Sequence, residues 1–511
     1  MNVAKRILSV LMAFGMMIWA LTAGVMATPD EIEDEVVDNS SLIIWYTDDS
    51  LTDYLSAECV AFNEMYGIRV IPRLQAGDEY LENINKASVS DEGTPDLYLI
   101  TNDCLEKAYL GGLACEVDGD DNVVNESIFP EAAIEAITYK GHKVGYPLFF
   151  ETSALIYNWT YLHDMAENQI TAEESTEPTD DGSEAGGEII EGEESDSVDE
   201  YAGLTHDEKV AKRIEDSIPG TFDELETFAN SFDAPEQVET VFKWDVKDIF
   251  YNYFFVGEYV DVGGPNGDDT SIIDIYNMDA ITALTVYQNL NNFFSFEYED
   301  ISYASVLQEF MEGKLVFTTA TTDAIAKLEQ AKEDGTFPYE YGVAPIPNLT
   351  DMLTSKSMSV TNVVAVNGYS DRKNDAKQFA RYLTITTADT IYAKTGKIPA
   401  CNSSRDNSDA VEAFAQEYAN SRPIPKMMAT SNYWLQMEIA FAEIWAGGNV
   451  SDNLKTLSEQ IKGQVTGAAI SEDYIDLPAK EQQEMEYIDE EAAMEAARQE
   501  NEADQQEKDE E

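Results

Sequence analysis

Acidic side chains follow two apolar segments near the start of the folded region, where they are well placed to do chemistry. Asp48 and Asp49 come directly after the apolar segment 41–47, and Asp103 follows the segment 96–100. An ionised carboxylate accepts hydrogen bonds from hydroxyl groups and attracts cations. Paired carboxylates among aromatic side chains are also what glycoside hydrolases use. These residue types therefore allow capture of a hydroxylated ligand, capture of a cation, or hydrolysis of a glycosidic bond.

Histidine and cysteine are too sparse for a multi-histidine or zinc site. The three histidines and four cysteines form no Cys-x-x-Cys and no His-x-x-x-His pair, the spacings that zinc ligands favour. We therefore expect no metal and no cofactor. Cys104 and Cys115 flank a short helical stretch, and two interpretations stay open for them. They form a disulfide, which an exported chain permits, or they are small buried hydrophobic side chains.

An alternation of strands and helices must position the carboxylates. The apolar pattern places strands at 41–47, 68–72 and 96–100 and helices over 51–62 and 80–89. Strands that alternate with helices imply right-handed crossovers and a parallel sheet, and hence an α/β fold. Ligands of such sheets lie beyond the carboxyl ends of the strands. Asp49 and Asp103 both fall at that edge.

The charge balance excludes several classes of partner. Of 511 residues, 99 are acidic and 31 are basic, which gives a formal net charge of −68. Such a surface repels nucleic acids and anionic membranes, so we expect neither as a partner. A hydrophobic fraction of 44% is high enough for packed cores, and the length suits two large domains. We expect a globular monomer.

The first residues are typical of an export signal. Lys5 and Arg6 precede the apolar run 7–25, and Ala27 ends a small-residue site of the kind that a signal peptidase cuts. We interpret 1–27 as a signal peptide, or as an N-terminal anchor if it stays uncut, because the run is long enough to span a bilayer. No cysteine follows it to accept a lipid. The chain is therefore predicted to be exported, to the extracellular space, the cell surface or the periplasm.

Two acidic segments are predicted to lie outside the packed body. Residues 164–200 contain fifteen acids and no lysine or arginine. Because blocks of like charge repel one another, we predict a disordered insertion over 164–217, including its flank. Its composition fits either a calcium-binding or partner-binding loop or a tolerated surface insertion. The segment 471–511 is predicted to be an acidic tail.

Five motifs follow one another in an order that resembles a known family. They are WYTDDS at 45–50, GTPDLYLITND at 93–103, YPLFFETSALIYN at 146–158, TGKIPA at 395–400 and NYWLQMEIAFAEIWAGG at 432–448. In order and spacing they resemble the extracellular solute-binding proteins of ABC importers, in particular the sugar-binding group that includes maltose-binding protein. The resemblance extends from about 41 to 467 and is interrupted by the acidic segment.

The resemblance implies an α/β fold of two lobes, each a mostly parallel sheet flanked by helices. A hinge that the chain crosses more than once joins the lobes, and the ligand lies in the cleft between them. By this similarity the first lobe takes 41–149 and 360–402. The second lobe takes 150–359 and 403–470.

The resemblance also implies ligand-binding residues at matching motif positions. Asp49 and Asp103 fall where the family has acidic sugar contacts, and Glu151 is the acid of the YPxxxE pattern. Trp434 falls where an aromatic side chain stacks on a sugar ring. Without the family, Glu151 also fits a helix cap and Trp434 a core position. A looser alignment adds an acid and two aromatic residues that face the cleft, namely Asp248, Phe250 and Tyr253.

Four positions depart from the family's pattern. Ser50 and Glu438 stand where it has basic residues, and Ile100 and Asp323 stand where it has tryptophans. We therefore predict a cleft with fewer aromatic platforms and less positive charge, which binds a long maltodextrin less well.

The resemblance implies that the chain captures a carbohydrate, such as an oligosaccharide of the maltodextrin type, and delivers it to an ABC permease in the membrane. It implies no enzymatic activity. A cationic ligand such as a polyamine is the alternative, because the predicted site residues are mostly acidic. A secreted glycoside hydrolase is a remote alternative, because paired carboxylates also serve that reaction.

Overall fold

The computed structural model describes residues 41–90, 93–120, 122–176, 201, 203–294, 301–402 and 408–475. The predicted signal peptide or anchor at 1–27 lies outside the described residues, as do 177–200 of the acidic insertion and 476–511 of the tail. Within the described ranges, no helix combines the length and apolar character that a membrane span requires. The unit described below begins at Leu42.

The first part of this unit alternates strands and helices, as the sequence predicts. Its strands are β1 (Leu42–Tyr46), β2 (Val70–Leu74), β3 (Leu97–Thr101), β4 (Thr138–Tyr139) and β5 (His142–Lys143). Its helices are α1 (Thr52–Tyr66), α2 (Tyr80–Ser90), α3 (Leu105–Leu110) and α4 (Glu131–Ile137). Every residue of β1 is buried, which is typical of a parallel strand covered on both faces. Gly67 ends α1 in the left-handed conformation, at φ 69°.

The second part begins with the long strand β6 (Tyr146–Asn158). It continues through α5 (Trp159–Thr176), α6 (His206–Asp216), α7 (Phe222–Ser231), β7 (Thr240–Phe242), β8 (Asp261–Val262), β9 (Ile273–Asp274), α8 (Met278–Phe294), α9 (Tyr303–Met311), β10 (Leu315–Thr321), α10 (Asp323–Glu333) and β11 (Tyr341–Ala344). The last elements that the structure describes are β12 (Met358–Val366), α11 (Lys373–Arg381), α12 (Ala388–Thr395), α13 (Asp409–Asn420), β13 (Arg422–Pro423), α14 (Tyr433–Trp445) and α15 (Val450–Thr466).

The main sheet has the strand order β2-β1-β3-β12-β6-β10-β7, with β11 also paired to β6 and β13 to β12. β1 is parallel to β2 and β3, and β10 is parallel to β7. β12 is antiparallel to β3 and β6. β6 is antiparallel to β10 and β11. The sheet is therefore mixed, with a parallel group of strands at each end.

Strand β6 changes its pairing partners along its length. Tyr146–Thr152 pairs with β12, and Ser153–Asn158 pairs with β10 and β11. β12 returns beside β6 and β3, so the chain crosses between the two halves of the sheet more than once. The predicted two-lobed α/β fold is confirmed. The predicted lobe ranges stay a prediction, with their first boundary at 149/150 close to the change of partners in β6.

The largest apolar cluster lies in the second half and is rich in aromatic side chains. It contains the buried residues Phe242, Trp244, Phe254, Phe255, Tyr287 and Trp445. Trp244 meets Trp445 edge to face, at a centroid distance of 5.5 Å. Its indole N–H donates to Oδ1 of Asn252 at 2.8 Å. This core therefore fixes the turn around Asn252, which carries some of the predicted site residues.

The prediction of disorder over 164–217 is wrong for both of its flanks. Helix α5 continues to Thr176 and α6 begins at His206. Val210 and Ile214 of α6 belong to the same apolar cluster as Ile170 of α5. The acids of α5 meet basic side chains of α6 in four pairs: His206 with Glu167 and with Glu174, Lys209 with Glu174, and Arg213 with Glu173. The sequence interpretation considered the acidic residues alone and did not take into account that α6 supplies basic partners for the acids of α5.

The start of the predicted tail also packs on the body. Lys462 of α15 pairs with Glu472 at 3.0 Å. The backbone N–H of Ile475 donates to the hydroxyl of Tyr276 at 2.8 Å. A tail that begins at 471 is therefore contradicted for 471–475.

Cys59, Cys104 and Cys115 are free thiols. Cys59 and Cys401 are buried, and Cys104 and Cys115 are half-buried. Of the two interpretations left open for Cys104 and Cys115, the structure favours separate thiols over a disulfide.

A half-buried carboxyl group connects α13 to the segments before β12. Glu417 accepts hydrogen bonds from the backbone N–H of Ile346 at 2.7 Å and from the hydroxyl of Ser357 at 2.8 Å. Burial raises the pKa of Glu417 to about 7, and these hydrogen bonds oppose the shift only in part. The folded state therefore keeps this proton over a pH range in which the unfolded chain has lost it.

This raised pKa predicts a pH-dependent contribution to stability. Between about pH 4.5 and pH 7 the folded state binds the proton and the unfolded state does not, so stability falls as the pH rises, by about 1.4 kcal/mol per pH unit. Glu417→Gln removes this fall. Urea unfolding at pH 5 and pH 8 should show a loss of stability that is about 2 to 3 kcal/mol smaller in the variant. Equal losses in both proteins would contradict the prediction.

Candidate functional site

A cavity of about 720 Å³ opens where strands from both halves of the sheet end. It is lined by polar and charged residues, namely Ser50, Glu151, Asp248, Thr321, Thr322, Asp323, Lys327, Thr395 and Lys397. It is also lined by aromatic and aliphatic residues, namely Ile249, Phe250, Tyr251, Tyr303, Met358, Val360, Ile424 and Trp434. Its walls thus come from the loop after β1, the centre of β6, the end of β10 and the start of α14. This is the edge at which α/β sheets bind ligands.

One end of the cavity holds a lysine between two carboxylates. The ammonium of Lys397 lies 3.0 Å from Oδ2 of Asp48 and 3.7 Å from Oε1 of Glu151. It also lies 5.2 Å from the ring centroid of Phe149, within cation–π range. Burial raises the pKa of Glu151, and Lys397 opposes that shift. Burial also acts on Asp48, but hydrogen bonds from Ser50 and Lys397 outweigh it and lower the pKa of Asp48.

A second ion pair lies at the start of α10. Asp323 accepts hydrogen bonds from the hydroxyls of Tyr303, at 2.8 Å, and Thr321, and it pairs with Lys327 one turn later. The Lys327 ammonium lies 4.8 Å from the ring centroid of Tyr303, whose ring stacks on Tyr251 at 4.8 Å. Burial opposes ionisation of Asp323, but these three partners outweigh it and lower its pKa. The ion pair between Asp323 and Lys327 is nearly neutral overall.

Hydrogen bonds from a buried side chain stabilise the turn that carries Asp248 and Phe250. The side-chain amide of the buried Asn252 donates to the backbone carbonyls of Asp245 and Asp248, at 2.9 and 2.7 Å. Asp248 in turn accepts the backbone N–H of Phe250 at 2.8 Å and so caps the short helix Ile249–Tyr251. Burial, together with repulsion from Asp245, raises the pKa of Asp248.

The structure brings four of the seven predicted site residues to the cavity: Glu151, Asp248, Phe250 and Trp434. Tyr253 does not line it. Its side chain is only 1% exposed and packs behind Trp434, with a centroid distance of 5.5 Å. Two turns of helix follow one another here, so Phe250 faces the cavity while Tyr253 faces the core.

Asp49 and Asp103 also lie outside the cavity lining. Asp49 is exposed and accepts the hydroxyl of Thr52 at the start of α1. Asp103 is exposed and accepts the hydroxyl of Thr101 at 2.5 Å. Both therefore serve the local turn that follows their strand, and Ser50 is the residue of the first loop that reaches the cavity.

The sequence interpretation missed Lys397, Lys327 and Tyr303, and it placed Asp48 at this edge of the sheet without assigning it a binding role. Lys397 belongs to the TGKIPA motif, which is the one signal that pointed to it. The cleft was predicted to have less positive charge than the family's pattern, and the structure shows which lysines it does contain. Ser50 and Glu438 do stand where basic residues were expected, but Lys327 and Lys397 reach the cavity from other segments.

A larger cavity, of about 910 Å³, lies beside the same region of the sheet and is lined by Ser357, just before β12, and by Arg422 of β13. Met358 and Ile424 line the first cavity, whereas their neighbours Ser357 and Arg422 line the larger one. The larger cavity has no aromatic lining and does not collect the carboxyl ends of β1 and β10. We therefore take the smaller cavity as the candidate site.

Comparison with known proteins identifies a family and several similar folds. Residues 59–419, more than half of the chain, match the family model described as "Bacterial extracellular solute-binding protein". No curated protein matches the chain significantly. The motifs on which the sequence resemblance rests lie mostly within this matched range.

Solved structures of similar fold come from sugar-binding proteins. An extracellular solute-binding protein from Staphylococcus aureus, in complex with maltose, matches with a TM-score of 0.64 and 17% identity, over 84% of this chain and 98% of that one. A maltose-binding periplasmic protein from Listeria monocytogenes, in complex with maltose, has a TM-score of 0.62 and 20% identity, over 84% and 99%. A cyclo/maltodextrin-binding protein complexed with maltotetraose has a TM-score of 0.62 and 19% identity, over 85% and 98%. These likenesses show the fold.

The position of Lys397 predicts how the cavity carboxylates titrate. Lys397→Met removes the cation that helps to lower the pKa of Asp48, so this pKa should rise, with only the hydrogen bonds from Ser50 left to oppose burial. Titration of selectively 13C-labelled aspartate carboxyl groups by NMR measures the change. Lys356→Met, which removes the partner of Glu258 outside this cavity, is the matched control and should leave Asp48 unchanged. An unchanged Asp48 titration in Lys397→Met would show that the ion pair does not form in solution.

Proposed function

The chain belongs to the family of bacterial extracellular solute-binding proteins, and we propose that its cavity captures a carbohydrate, such as an oligosaccharide, for delivery to an ABC permease. The observation that carries this proposal is the lining of the cavity, in which aromatic rings face hydrogen-bonding carboxylates. Apolar faces of sugar rings stack on aromatic side chains, and sugar hydroxyls donate to carboxylates. The named neighbours bind maltose and maltotetraose, which supports the same ligand class here.

Four residues are proposed to contact the sugar directly. Trp434 and Phe250 offer ring faces, and Glu151 and Asp248 offer acceptors. We add Lys397, whose ammonium donates to hydroxyl oxygens and is held in place by Asp48. Together these residues come from both halves of the sheet.

The position of the cavity also supports a closing motion. Met358 and Val360 of β12 line it, and β12 is one of the strands that cross between the halves. A bend at these strands brings the two walls of the cavity together around a ligand. Export through the leader 1–27, cleaved or kept as an anchor, belongs to the same proposal, as does action as a monomer.

Substitution of Trp434 tests the stacking contact. Trp434→Ala removes a ring face and should weaken binding by about 1 to 3 kcal/mol, or roughly tenfold to a hundredfold in Kd. Calorimetry with maltotriose and with other neutral trisaccharides measures the loss. Trp159→Ala is the matched control, because Trp159 stacks on His163 at the start of α5, outside this cavity.

With spermidine titrated beside the sugars and the sugars checked for cleavage, four outcomes separate the possible ligands. A loss confined to Trp434→Ala supports sugar stacking. Equal affinity in both variants places the sugar elsewhere on the molecule. Binding of spermidine in place of every sugar identifies the polyamine alternative, and release of shorter sugars identifies a hydrolase.

Ligand capture should also change the shape of the molecule. If binding closes the two halves as rigid bodies, the radius of gyration decreases while the unfolding transition stays cooperative. Small-angle scattering with and without a saturating trisaccharide measures this. An identical scattering profile for the free and bound protein would argue against a closing cleft.

A further inference from the structure

One wall of the cavity contains a pair of opposite charges that is not among the sugar contacts proposed above. Asp323 and Lys327 lie one turn apart at the start of α10, and both line the cavity. The side chain of Asp323 is 43% exposed and that of Lys327 is 50% exposed. The protein therefore does not enclose either charged group, and a ligand in the cavity can reach both.

Two hydroxyl groups fix the carboxylate of Asp323. Its Oδ1 accepts hydrogen bonds from the hydroxyls of Tyr303, at 2.8 Å, and of Thr321. Its Oδ2 pairs with the ammonium of Lys327. Because an ionised carboxylate has about four acceptor sites, two on each oxygen, these contacts occupy Oδ1 and leave capacity on Oδ2. Oδ2 can therefore accept a hydroxyl group of a ligand.

The ammonium of Lys327 is held by the same small group of side chains. It pairs with Asp323 and lies 4.8 Å from the ring centroid of Tyr303. That ring stacks on Tyr251, with a centroid distance of 4.8 Å and an angle of 19° between the planes. An ammonium group has several N–H donors, and among the described residues only Asp323 accepts from this one. Donors therefore remain for a ligand.

A comparable ion pair lies on the same helix but outside the cavity lining. Lys332 pairs with Glu340 at 2.6 Å and lies 5.9 Å from the ring centroid of Tyr341. Exposed ion pairs of this kind contribute little to stability. What distinguishes Asp323 and Lys327 is therefore their position in the wall of the cavity.

We propose that Asp323 and Lys327 determine the specificity of the cavity by binding two neighbouring hydroxyl groups of one sugar ring. Lys327 donates to the oxygen of one hydroxyl, and Oδ2 of Asp323 accepts a hydrogen bond from the other. The inference rests on the proposed function, because it assigns hydroxyl contacts to the sugar that this cavity captures. A site built to bond hydroxyl groups rejects an analogue that lacks them, since its own polar groups are then left unpaired.

This wall recognises the edge of a sugar ring rather than its face. The ring of Tyr303 already contacts Lys327 and Tyr251, so it supports the charged pair. Trp434 and Phe250 offer ring faces elsewhere in the same cavity. A ligand that satisfies both walls has an apolar ring face and hydroxyl groups on neighbouring carbons, as a pyranose does. A linear polyamine has neither.

Neutral trisaccharides test the charged pair. The probes are maltotriose, cellotriose, mannotriose and xylotriose, titrated by calorimetry against the wild type, Lys327→Met and Asp323→Asn. Each substitution removes one charge and keeps a similar side-chain size. We expect each to weaken binding of the tightest of the four trimers by about tenfold or more. Lys332→Met, which breaks the comparable pair on the same helix, is the matched control and should leave the affinity unchanged.

Deoxygenated analogues of that trimer, each lacking one ring hydroxyl, identify the contacts. Loss of a hydroxyl that bonds to the pair should weaken binding to the wild type by about tenfold. The same loss should have little further effect in Lys327→Met or in Asp323→Asn, because both changes then remove one contact. We expect two such hydroxyls, on neighbouring carbons of one ring.

Tyr303 is a positioning residue in this arrangement. Tyr303→Phe keeps the ring beside Lys327 and Tyr251 but removes the hydroxyl that bonds to Oδ1 of Asp323. It should weaken binding of the same trimer to the wild type by severalfold and have no effect in the Asp323→Asn background. Equal losses in both backgrounds would show that Tyr303 does not act through Asp323.

The outcomes separate this inference from the function on which it rests. If Lys327→Met and Asp323→Asn bind the trimers as tightly as the wild type does, the inference is overturned and carbohydrate capture stands. A loss of the same size for the trimer and all its deoxy analogues also overturns the inference, because no hydroxyl is then coupled to the pair. If none of the four trimers binds the wild type, both are overturned.

Discussion

The structure depends on one strand that pairs with different partners along its length. The first half of β6 bonds to β12 and its second half to β10 and β11. Because backbone hydrogen bonds fix both halves, the two parts of the sheet meet within a single continuous segment. Glu151 lies in β6 opposite Val360 of β12, just before the partners change. The cavity lies where the two groups of strands meet, and its walls come from both groups.

A second constraint is the shortage of positive charge in a chain with 31 basic and 99 acidic residues. A desolvated carboxylate is costly unless a cation or hydrogen bonds compensate it. Around the cavity, Lys397 and Lys327 supply that compensation for Glu151 and Asp323. Basic residues of α6 do the same for the acids of α5. At Asp248, burial and repulsion from Asp245 raise the carboxyl pKa.

The sequence was informative about strands and motifs and less so about side-chain direction. The continuous apolar run of β1 and the ordered motifs predicted the fold, and Glu151 and Trp434 were found because their motifs are long. Asp49 was chosen by position after a strand, yet one residue along a turn decides whether Ser50 or Asp49 faces the cavity. Lys397 was missed because its partners Asp48 and Glu151 are distant in sequence, and such pairs depend on tertiary contact.

Ser50 and Glu438, which stand where the family's pattern has basic residues, have different electrostatic surroundings in the structure. From the sequence, the loss of two basic residues suggested a weaker version of the same site. In the structure, Lys397 lies beside the carboxylates near Ser50, whereas Glu438 adds its charge to that of Asp248. Lys397 thus compensates for the basic residue that is absent at position 50. The acid at position 438 instead adds to the negative charge of Asp248. Because a ligand is selected by the difference in free energy between it and its competitors, the placement of charge along a cavity affects which ligand binds as well as how tightly it binds.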